Sequence, residues 1–160
     1  MPLKRDKNIQ ILSREHHHGL LFCWKIKTGI KNAVDPKRIV AYVHFFWDGH
    51  LKTHFKEEED LLFCTVEDPL CKKTLRQHDE IRSLLLDLNA TYDTLAELIT
   101  NIEAHIRFEE RELFPHLEKS LTAQELLSIG SALEKCIQHP LLMITMTNSG
   151  KTDHSFNGPI

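Results

Sequence analysis

The sequence predicts an all-α protein: an up-down antiparallel four-helix bundle with a short extra C-terminal helix. Three observations support this fold class. Apolar residues recur at the spacing of an amphipathic helix in four long segments. Short connections with turn residues separate those segments, as expected for antiparallel neighbours in a bundle. The 160 residues are enough to bury the core of one domain.

The first two predicted helices meet at Asp35 and Pro36. The first helix runs from Ile9 to about Lys31, and the second runs from Pro36 to about Cys64. Asp35 as an N-cap, followed by a proline in the first turn, signals the start of a helix. The inward stripe of the second helix is predicted to contain Ile39 or Val40, then Val43, Trp47, His50, His54, Glu58 and Leu61.

Two more long helices are predicted after Pro69. The third runs from about Leu70 to Leu88. The fourth runs from about Thr94 to Phe114, and Pro115 is expected to end or kink it. The residues predicted to face inward on these two helices are Leu75, His78, Ile81 and Leu85, and then Leu95, Leu98, Ile102, His105 and Glu109.

The C-terminal part of the chain predicts a shorter fifth helix and a tail. Thr122-Ala123-Gln124-Glu125 has the capping-box pattern of a helix start, and the apolar periodicity continues to about Gln138. Residues 1–138 therefore form the bundle with its fifth helix, and residues 139–160 form a tail that is expected to be partly mobile.

Composition excludes several classes of partner. The formal net charge is -3 with no basic block, so neither nucleic acid nor an anionic membrane is expected to bind. No apolar run is long enough to span a bilayer, and the N-terminus has no secretory signal. We expect a cytoplasmic protein with reduced cysteines. Its self-association is left open by the sequence.

The unusual feature of the composition is its eleven histidines, several of which belong to a repeated motif. His54-Phe55-Lys56-Glu57-Glu58-Glu59-Asp60-Leu61-Leu62-Phe63 aligns without a gap with His105-Ile106-Arg107-Phe108-Glu109-Glu110-Arg111-Glu112-Leu113-Phe114. A His-x-x-x-Glu spacing places an imidazole and a carboxylate one helical turn apart on the same face. Two such faces turned towards each other predict a metal site inside a helix bundle.

A weaker repeat adds one histidine from each remaining helix. Arg14-Glu15-His16 resembles Arg76-Gln77-His78, so each half of the chain would contribute a lone histidine and a His-x-x-x-Glu pair. Such an arrangement predicts two metal positions bridged by Glu58 and Glu109. Imidazole and carboxylate ligands without inward thiolates favour iron or manganese over a structural zinc.

These motifs resemble those of the hemerythrin-like family, the HHE cation-binding domains. The resemblance covers about residues 9 to 118. It implies a four-helix bundle with a non-haem di-iron centre, in which manganese or zinc can substitute for iron. It also implies a small ligand at the metal: dioxygen, nitric oxide or peroxide. The metal ligands that it implies are His54, Glu58, His78, His105, Glu109 and a helix-one histidine, His16 or His17.

The sequence departs from the oxygen-carrying hemerythrins in two ways. Those proteins have a second histidine on the third helix, one turn from the position of His78, and this chain has none there. The alternatives for the missing ligand are His50, Glu57, water or an open position. The triplet His16-His17-His18 cannot all point inward, because successive residues lie about 100° apart on a helix. Leu12, four residues before His16, favours His16, and Leu20 and Trp24 favour His17.

Three hypotheses for function follow. The first is a di-iron protein that binds or senses dioxygen, nitric oxide or iron. The second is a di-iron enzyme that acts on peroxide or nitric oxide, and the third is a metal-free helical adaptor. The sequence favours binding over catalysis without deciding between them.

Overall fold

The computed structural model describes residues 4–62 and 67–147, and it describes residues 137–147 by backbone only. All regular structure in these two ranges is helical, and no strand occurs within them. The all-α prediction is therefore confirmed. None of the described helices combines the length and the apolar character needed to cross a bilayer.

Five helices follow one another along the described chain. Two of them, α2 and α4, contain wider π-helical turns between α-helical stretches. Helix α2 has two such turns, Trp47–Leu51 and Glu58–Leu62, and α4 has one, Glu109–Leu113. The helices are α1 (Gln10–Lys31), α2 (residues 36–62), α3 (Pro69–Leu86), α4 (residues 92–120) and α5 (Ala123–Thr147).

Side-chain caps fix where most of these helices begin. The carboxylate of Asp35 accepts a hydrogen bond from the amide of Lys37 at 2.9 Å, directly before Pro36. Asp68 accepts from the amide of Leu70 at 2.7 Å, directly before Pro69. These bonds satisfy amides that have no partner within the helix. The start predicted from Asp35 and Pro36 is therefore confirmed, and α3 begins at Pro69, close to the predicted Leu70.

The core contains two apolar clusters, one on each side of a layer of polar residues. The first apolar cluster includes Phe22, Ile26, Leu51, Phe55, Ile81, Ile102 and Ile106. The second apolar cluster includes Ile9, Leu12, Leu62, Cys71, Leu113, Phe114, Leu117 and Leu133.

The order of the two clusters along each helix shows that neighbouring helices are antiparallel. Helices α1 and α3 run from the second cluster to the first, whereas α2 and α4 run from the first to the second. In α1 and α3 the inward histidine lies between the two clusters, and in α2 and α4 the inward His–Glu pair lies at the boundary between them. The predicted up-down bundle is therefore observed, with a buried polar layer at mid-height.

Helix α5 covers the second cluster and is longer than the sequence predicts. Leu126 and Leu133 are buried against that cluster. The helix continues past His139 and Pro140 to Thr147, so the predicted end near Gln138 is wrong. Leucine and methionine, which have high helix propensity, follow Pro140 and favour continuation. Residues 148–160 of the expected tail lie outside the described residues.

The capping box of α5 is confirmed in both directions. The amide of Glu125 donates to the hydroxyl of Thr122 at 3.2 Å, and the amide of Thr122 donates to the Glu125 carboxylate at 2.7 Å. Further along, Gly130 lies against the N-terminal segment. A Cβ atom at Gly130 would be 2.6 Å from Oδ1 of Asn8, so a glycine permits this close approach.

Pro115 does not end α4, so the first of the two predicted alternatives, an end or a kink, is wrong. Helical structure continues through it to Ser120. The π-helical turn Glu109–Leu113 precedes it, and Pro115 then lies in the first turn of the α-helical stretch Phe114–Ser120. A proline is tolerated in a first turn, because its missing N–H would have no partner there.

The described cysteines are free thiols, as predicted. Cys23 and Cys71 are buried, whereas Cys136 is exposed. Burial raises the pKa of the Cys23 thiol to about 12 and that of Cys71 to about 11. A thiol with a raised pKa forms little of the reactive thiolate, so both residues pack as small apolar groups. Cys64 lies outside the described residues.

Candidate metal centre

Six side chains from the four bundle helices form the polar layer, and each has an exposed fraction of 5% or less. We call this set the central layer. Burying this many ionisable groups is costly unless they are compensated. Its members are His16 from α1, His54 and Glu58 from α2, His78 from α3, and His105 and Glu109 from α4.

The central layer contains two groups of ligand atoms that share both glutamates. One group consists of His16, His54, Glu58 and Glu109, and the other consists of Glu58, His78, His105 and Glu109. Within each group, one donor atom from every residue lies within 4.8 Å of the others. Each group is thus a candidate position for a cation, with two imidazoles of its own and two carboxylates in common.

The carboxylate of Glu58 faces both groups, one oxygen to each. Oε1 lies 3.3 Å from Nε2 of His54 and 3.7 Å from Nε2 of His16. Oε2 lies 3.3 Å from Nε2 of His78. This orientation is the one required of a carboxylate that bridges two cations.

The carboxylate of Glu109 is similarly placed between the groups. Its Oε2 atom lies 3.0 Å from Nε2 of His16 and 3.4 Å from Nε2 of His105. Its Oε1 atom lies 4.0 Å from Nε2 of His78. Both glutamates are fully buried, so no solvent water satisfies them directly.

Most donor atoms of the central layer are buried without hydrogen bonds. Nε2 of His16, His54 and His105 and all four carboxylate oxygens of Glu58 and Glu109 have no hydrogen-bond partner. Buried polar atoms are normally hydrogen-bonded, and exceptions need an explanation. The unsatisfied atoms converge on the same two positions, so a bound cation at each would satisfy them.

The outward nitrogens of the same histidines are all engaged by side chains from neighbouring helices. Nδ1–H of His54 donates to Glu15 at 2.7 Å, and Nδ1–H of His105 donates to Gln77 at 3.2 Å. These two acceptors lie immediately before His16 and His78 in the sequence.

The remaining two acceptors immediately follow the inner glutamates. Nδ1–H of His16 donates to Glu110 at 2.7 Å, and Nδ1–H of His78 donates to Glu59 at 2.7 Å. The four bonds link α1 to α2, α2 to α3, α3 to α4 and α4 to α1. They therefore form a closed ring around the central layer, which we call the outer ring. A hydrogen bond at Nδ1 orients the imidazole and leaves Nε2 as the ligand atom.

An arginine holds each of the two glutamates that follow the inner pair. Arg5 donates to Glu110 at 2.7 Å, and Arg82 donates to Glu59 at 2.7 Å. Burial opposes ionisation of Glu110, but hydrogen bonds from His16, Ser13 and Arg5 lower its pKa to about 2. Glu110 is therefore a carboxylate that can accept from His16 at any physiological pH.

The π-helical turns coincide with the repeated motif. One begins at Glu58 and the other at Glu109, so both inner glutamates open a wide turn. A π-helical turn contains more residues than an α-helical turn, and such turns occur often at functional sites. The sequence repeat is thus also a repeat of backbone geometry.

The electrostatics of the layer without a cation are unfavourable for two charged carboxylates. Burial, together with the charge of Glu58, raises the pKa of Glu109 to about 7. Burial also acts on Glu58, but the neighbouring His54, His16 and His78 lower its pKa well below the usual range. Glu58 is therefore ionised near neutrality, whereas Glu109 takes up a proton as the pH falls through about 7. A cation would permit both to ionise.

Aromatic rings cover two of the imidazoles. Phe55 stacks on His78 with ring centroids 3.8 Å apart, and Phe114 lies parallel to His16 at 5.4 Å. Both phenylalanines are fully buried. They exclude water from the imidazole faces and restrict the orientation of the rings.

A small cavity adjoins the central layer on the side of α1, α2 and α4. Its volume is about 40 Å³. The walls include three histidines of the central layer (His16, His54 and His105), and exposed residues at its edge include His18 and His50. This volume is sufficient for water or a small diatomic molecule.

The structure brings six of the seven predicted ligand residues together, and His17 is the exception. His17 is exposed, and its ring faces that of His18 at 6.2 Å. The alternative that His17 is the helix-one ligand is therefore wrong. On α1, His16 is the histidine that faces the bundle interior.

His50 and Glu57, both on α2, do not replace the ligand that is missing from the third helix. His50 is exposed because the π-helical turn Trp47–Leu51 adds a residue and places Leu51 inward instead. Glu57 is buried, but it belongs to neither ligand group. Thr74, one turn before His78, is fully buried and donates its hydroxyl to the carbonyl of Leu70 at 3.2 Å.

The sequence interpretation missed the outer ring. Glu59 and Glu110 were not among the predicted site residues, but both are half-buried and accept from imidazoles. The signal that identifies them is the Glu-Glu doubling after each His-x-x-x spacing. The same holds for Glu15 and Gln77, which precede the lone histidines in the weaker repeat.

Comparison with protein families gives a match that covers most of the chain. Residues 7–119 match the hemerythrin HHE cation binding domain. The match includes all six residues of the central layer and all four of the outer ring. Comparisons with curated proteins and with solved structures gave no significant match.

Proposed function

This chain belongs to the hemerythrin HHE cation-binding domain family, and from that premise we propose that it is a non-haem di-iron protein. In this proposal, His16 and His54 hold one iron, and His78 and His105 hold the other. Glu58 and Glu109 belong to both ligand groups and would help to hold both ions. The protein binds or senses dioxygen, nitric oxide or iron itself.

The observation that carries this proposal is the convergence of unsatisfied donor atoms on two positions. Nitrogen and oxygen donors without thiolates suit iron or manganese. Zinc and manganese are expected to bind as substitutes, because the same donors accept them with little geometric preference. The donor set therefore fits the metal that the family implies.

The chain's own residues prepare the site for this role. The outer ring fixes the imidazoles with Nε2 inward, and Phe55 and Phe114 exclude water from two of the rings. The cavity of about 40 Å³ leaves room beside the layer for a small ligand. Bound iron would add reversible redox chemistry and affinity for such a ligand.

The test is the effect of iron on thermal stability. A ligand that binds only the folded state raises its melting temperature. Anaerobic Fe(II) should therefore raise the melting temperature of the wild type, and His54→Ala or His105→Ala should remove most of this rise. The matched control is His44→Ala, which changes an exposed histidine on α2 and should retain the full effect.

An unchanged response to iron in both ligand variants would contradict the proposal. It would favour the third hypothesis, a helical adaptor in which the histidines of the central layer bind no metal. Circular dichroism of each apo variant shows whether the fold is retained, so that loss of the iron effect is not mistaken for unfolding.

A second candidate function is an enzyme that acts on peroxide or nitric oxide. The observation that favours it is the cavity beside three imidazoles, combined with Thr74 where oxygen carriers have a further ligand. Many turnovers of hydrogen peroxide or nitric oxide per iron-loaded chain would support catalysis. A single stoichiometric reaction would support binding or sensing.

A further inference from the structure

We infer that the two metal positions are unequal and that Glu15 and Gln77 set the difference. The position formed by His16 and His54 binds its ion first and more tightly than the position formed by His78 and His105. This inference rests on the proposed function, and it specifies how the two halves of the centre differ.

The inference starts from the one break in the symmetry of the outer ring. Three of its four acceptors are carboxylates: Glu15, Glu59 and Glu110. The fourth, Gln77, is a neutral amide, and it occupies the place in the second half that Glu15 occupies in the first. Both residues immediately precede a lone histidine and accept from Nδ1–H of a motif histidine.

The difference in charge is accompanied by a difference in distance. The bond from His54 to Glu15 is 2.7 Å long, whereas the bond from His105 to Gln77 is 3.2 Å long. Hydrogen bonds to ionised acceptors are shorter and about twice as strong as bonds between neutral groups. The imidazole of His54 is therefore more firmly oriented than that of His105.

The other half of the ring does not cancel this difference. Glu110 and Glu59 are both carboxylates, and each accepts from an arginine at 2.7 Å. Their contributions to the two positions are therefore similar. Among the described residues, Glu15 pairs with His54 and forms no ion pair with an arginine or lysine, so its charge is not neutralised by a contacting arginine or lysine. The position formed by His16 and His54 therefore has one more negative charge, that of Glu15, among the residues that hydrogen-bond to its ligands.

A carboxylate that accepts a hydrogen bond from Nδ1–H of an imidazole makes Nε2 a more basic ligand. Its negative charge also attracts the cation directly. Changes of such outer partners alter metal affinity by about tenfold to a hundredfold. We therefore expect two binding steps for Fe(II), separated by at least about tenfold in affinity.

The experiment is an anaerobic calorimetric titration of the apo protein with Fe(II), using variants that conserve shape. Glu15→Gln should weaken the tighter step by about tenfold and bring the two steps together. Gln77→Glu should tighten the weaker step by a similar factor. The double variant Glu15→Gln with Gln77→Glu conserves total charge and should restore two separated steps.

Crystals grown with one equivalent of Fe(II) identify which position fills first. Anomalous density should lie between His16 and His54 in the wild type, and between His78 and His105 in the double variant. Glu112→Gln is the matched control, because Glu112 is exposed on α4 outside the ring, and it should leave both steps unchanged.

Two results would overturn this inference alone: equal affinities in the wild type, or a weaker step that Gln77→Glu leaves unchanged. Failure of the wild type to bind iron at all is a different result. It would overturn the proposed function, and the inference with it.

Discussion

The central layer and the two apolar clusters beside it are equally buried, but they affect stability in opposite ways. The transfer of Phe22, Leu12 and their neighbours in the clusters from water into the core lowers the free energy of the folded state. The glutamates and histidines between them lose hydration, and many of their inward atoms make no hydrogen bond in return. The clusters are therefore expected to stabilise the apo fold, whereas the layer costs stability that a cation would restore.

The largest expected effect comes from the apolar side of this comparison. Phe114→Ala removes a fully buried ring of the second apolar cluster. The free energy of unfolding should fall by about 3–5 kcal/mol, because the lost burial leaves a cavity. Urea unfolding with a chelator present measures it, and Phe45→Ala, at a ring that is 70% exposed, is the control. A loss below about 1 kcal/mol would show that the cluster is not part of the stable core.

In the central layer, a substitution should have the opposite sign. Glu109→Gln removes one of the two facing carboxylates, so the apo protein should become more stable near pH 8 while its iron affinity falls. The pKa of Glu109 is raised to about 7, so the folded wild type binds this proton more tightly than the unfolded chain does. Protonation of Glu109 therefore stabilises the folded wild type fully below the pKa that Glu109 has in the unfolded chain. This stabilisation is lost as the pH rises through about 7.

The variant lacks this titration, so it should gain up to about 3 kcal/mol over the wild type between pH 4 and pH 8. Urea midpoints of chelated protein at several pH values measure the difference. Glu80→Gln, at an exposed position on α3, should track the wild type. A variant that is less stable than the wild type at pH 8 would contradict the account of an uncompensated layer.

The outer ring should affect metal binding more than folding. Glu110→Ala removes the carboxylate that orients His16, so iron affinity should fall by about tenfold to a hundredfold. Competition with a coloured chelator measures the affinity. Glu112→Ala, at an exposed position of the same turn, is the control. Equal affinities for the two variants would mean that the bond to His16 does not support the site.

The smallest expected effect lies far from the layer. Thr122→Ala removes the capping box of α5 and should lower the free energy of unfolding by about 1 kcal/mol. Iron affinity should not change, because α5 contributes no residue to either ligand group. Ser128→Ala, exposed on the same helix, is the control. A change in iron affinity would show that α5 is coupled to the metal centre, and would contradict the expectation that α5 affects stability alone.

The sequence predicted the parts of the site that depend on helical periodicity. His54, Glu58, His105 and Glu109 follow a regular spacing, and their repetition made an accidental match improbable. His16 was favoured by its distance from Leu12, and the structure places it inward. These residues could be predicted because one helix and its stripe determine where they point.

The features that were missed depend on contacts between helices or on irregular turns. Nothing within α2 alone shows that Glu59 reaches His78 on the next helix. His50 was placed inward because the π-helical turn at Trp47–Leu51 has no local sequence signal. Arg5 precedes the first helix, so periodicity could not connect it to Glu110.

The central claim is that the buried layer holds two metal ions, and its most direct test is the iron content of the loaded protein. The protein should be purified without a histidine tag, reduced, loaded anaerobically with Fe(II) and freed of excess iron before analysis. The two ligand groups predict about two iron ions per chain. Less than one iron ion per chain would contradict the claim.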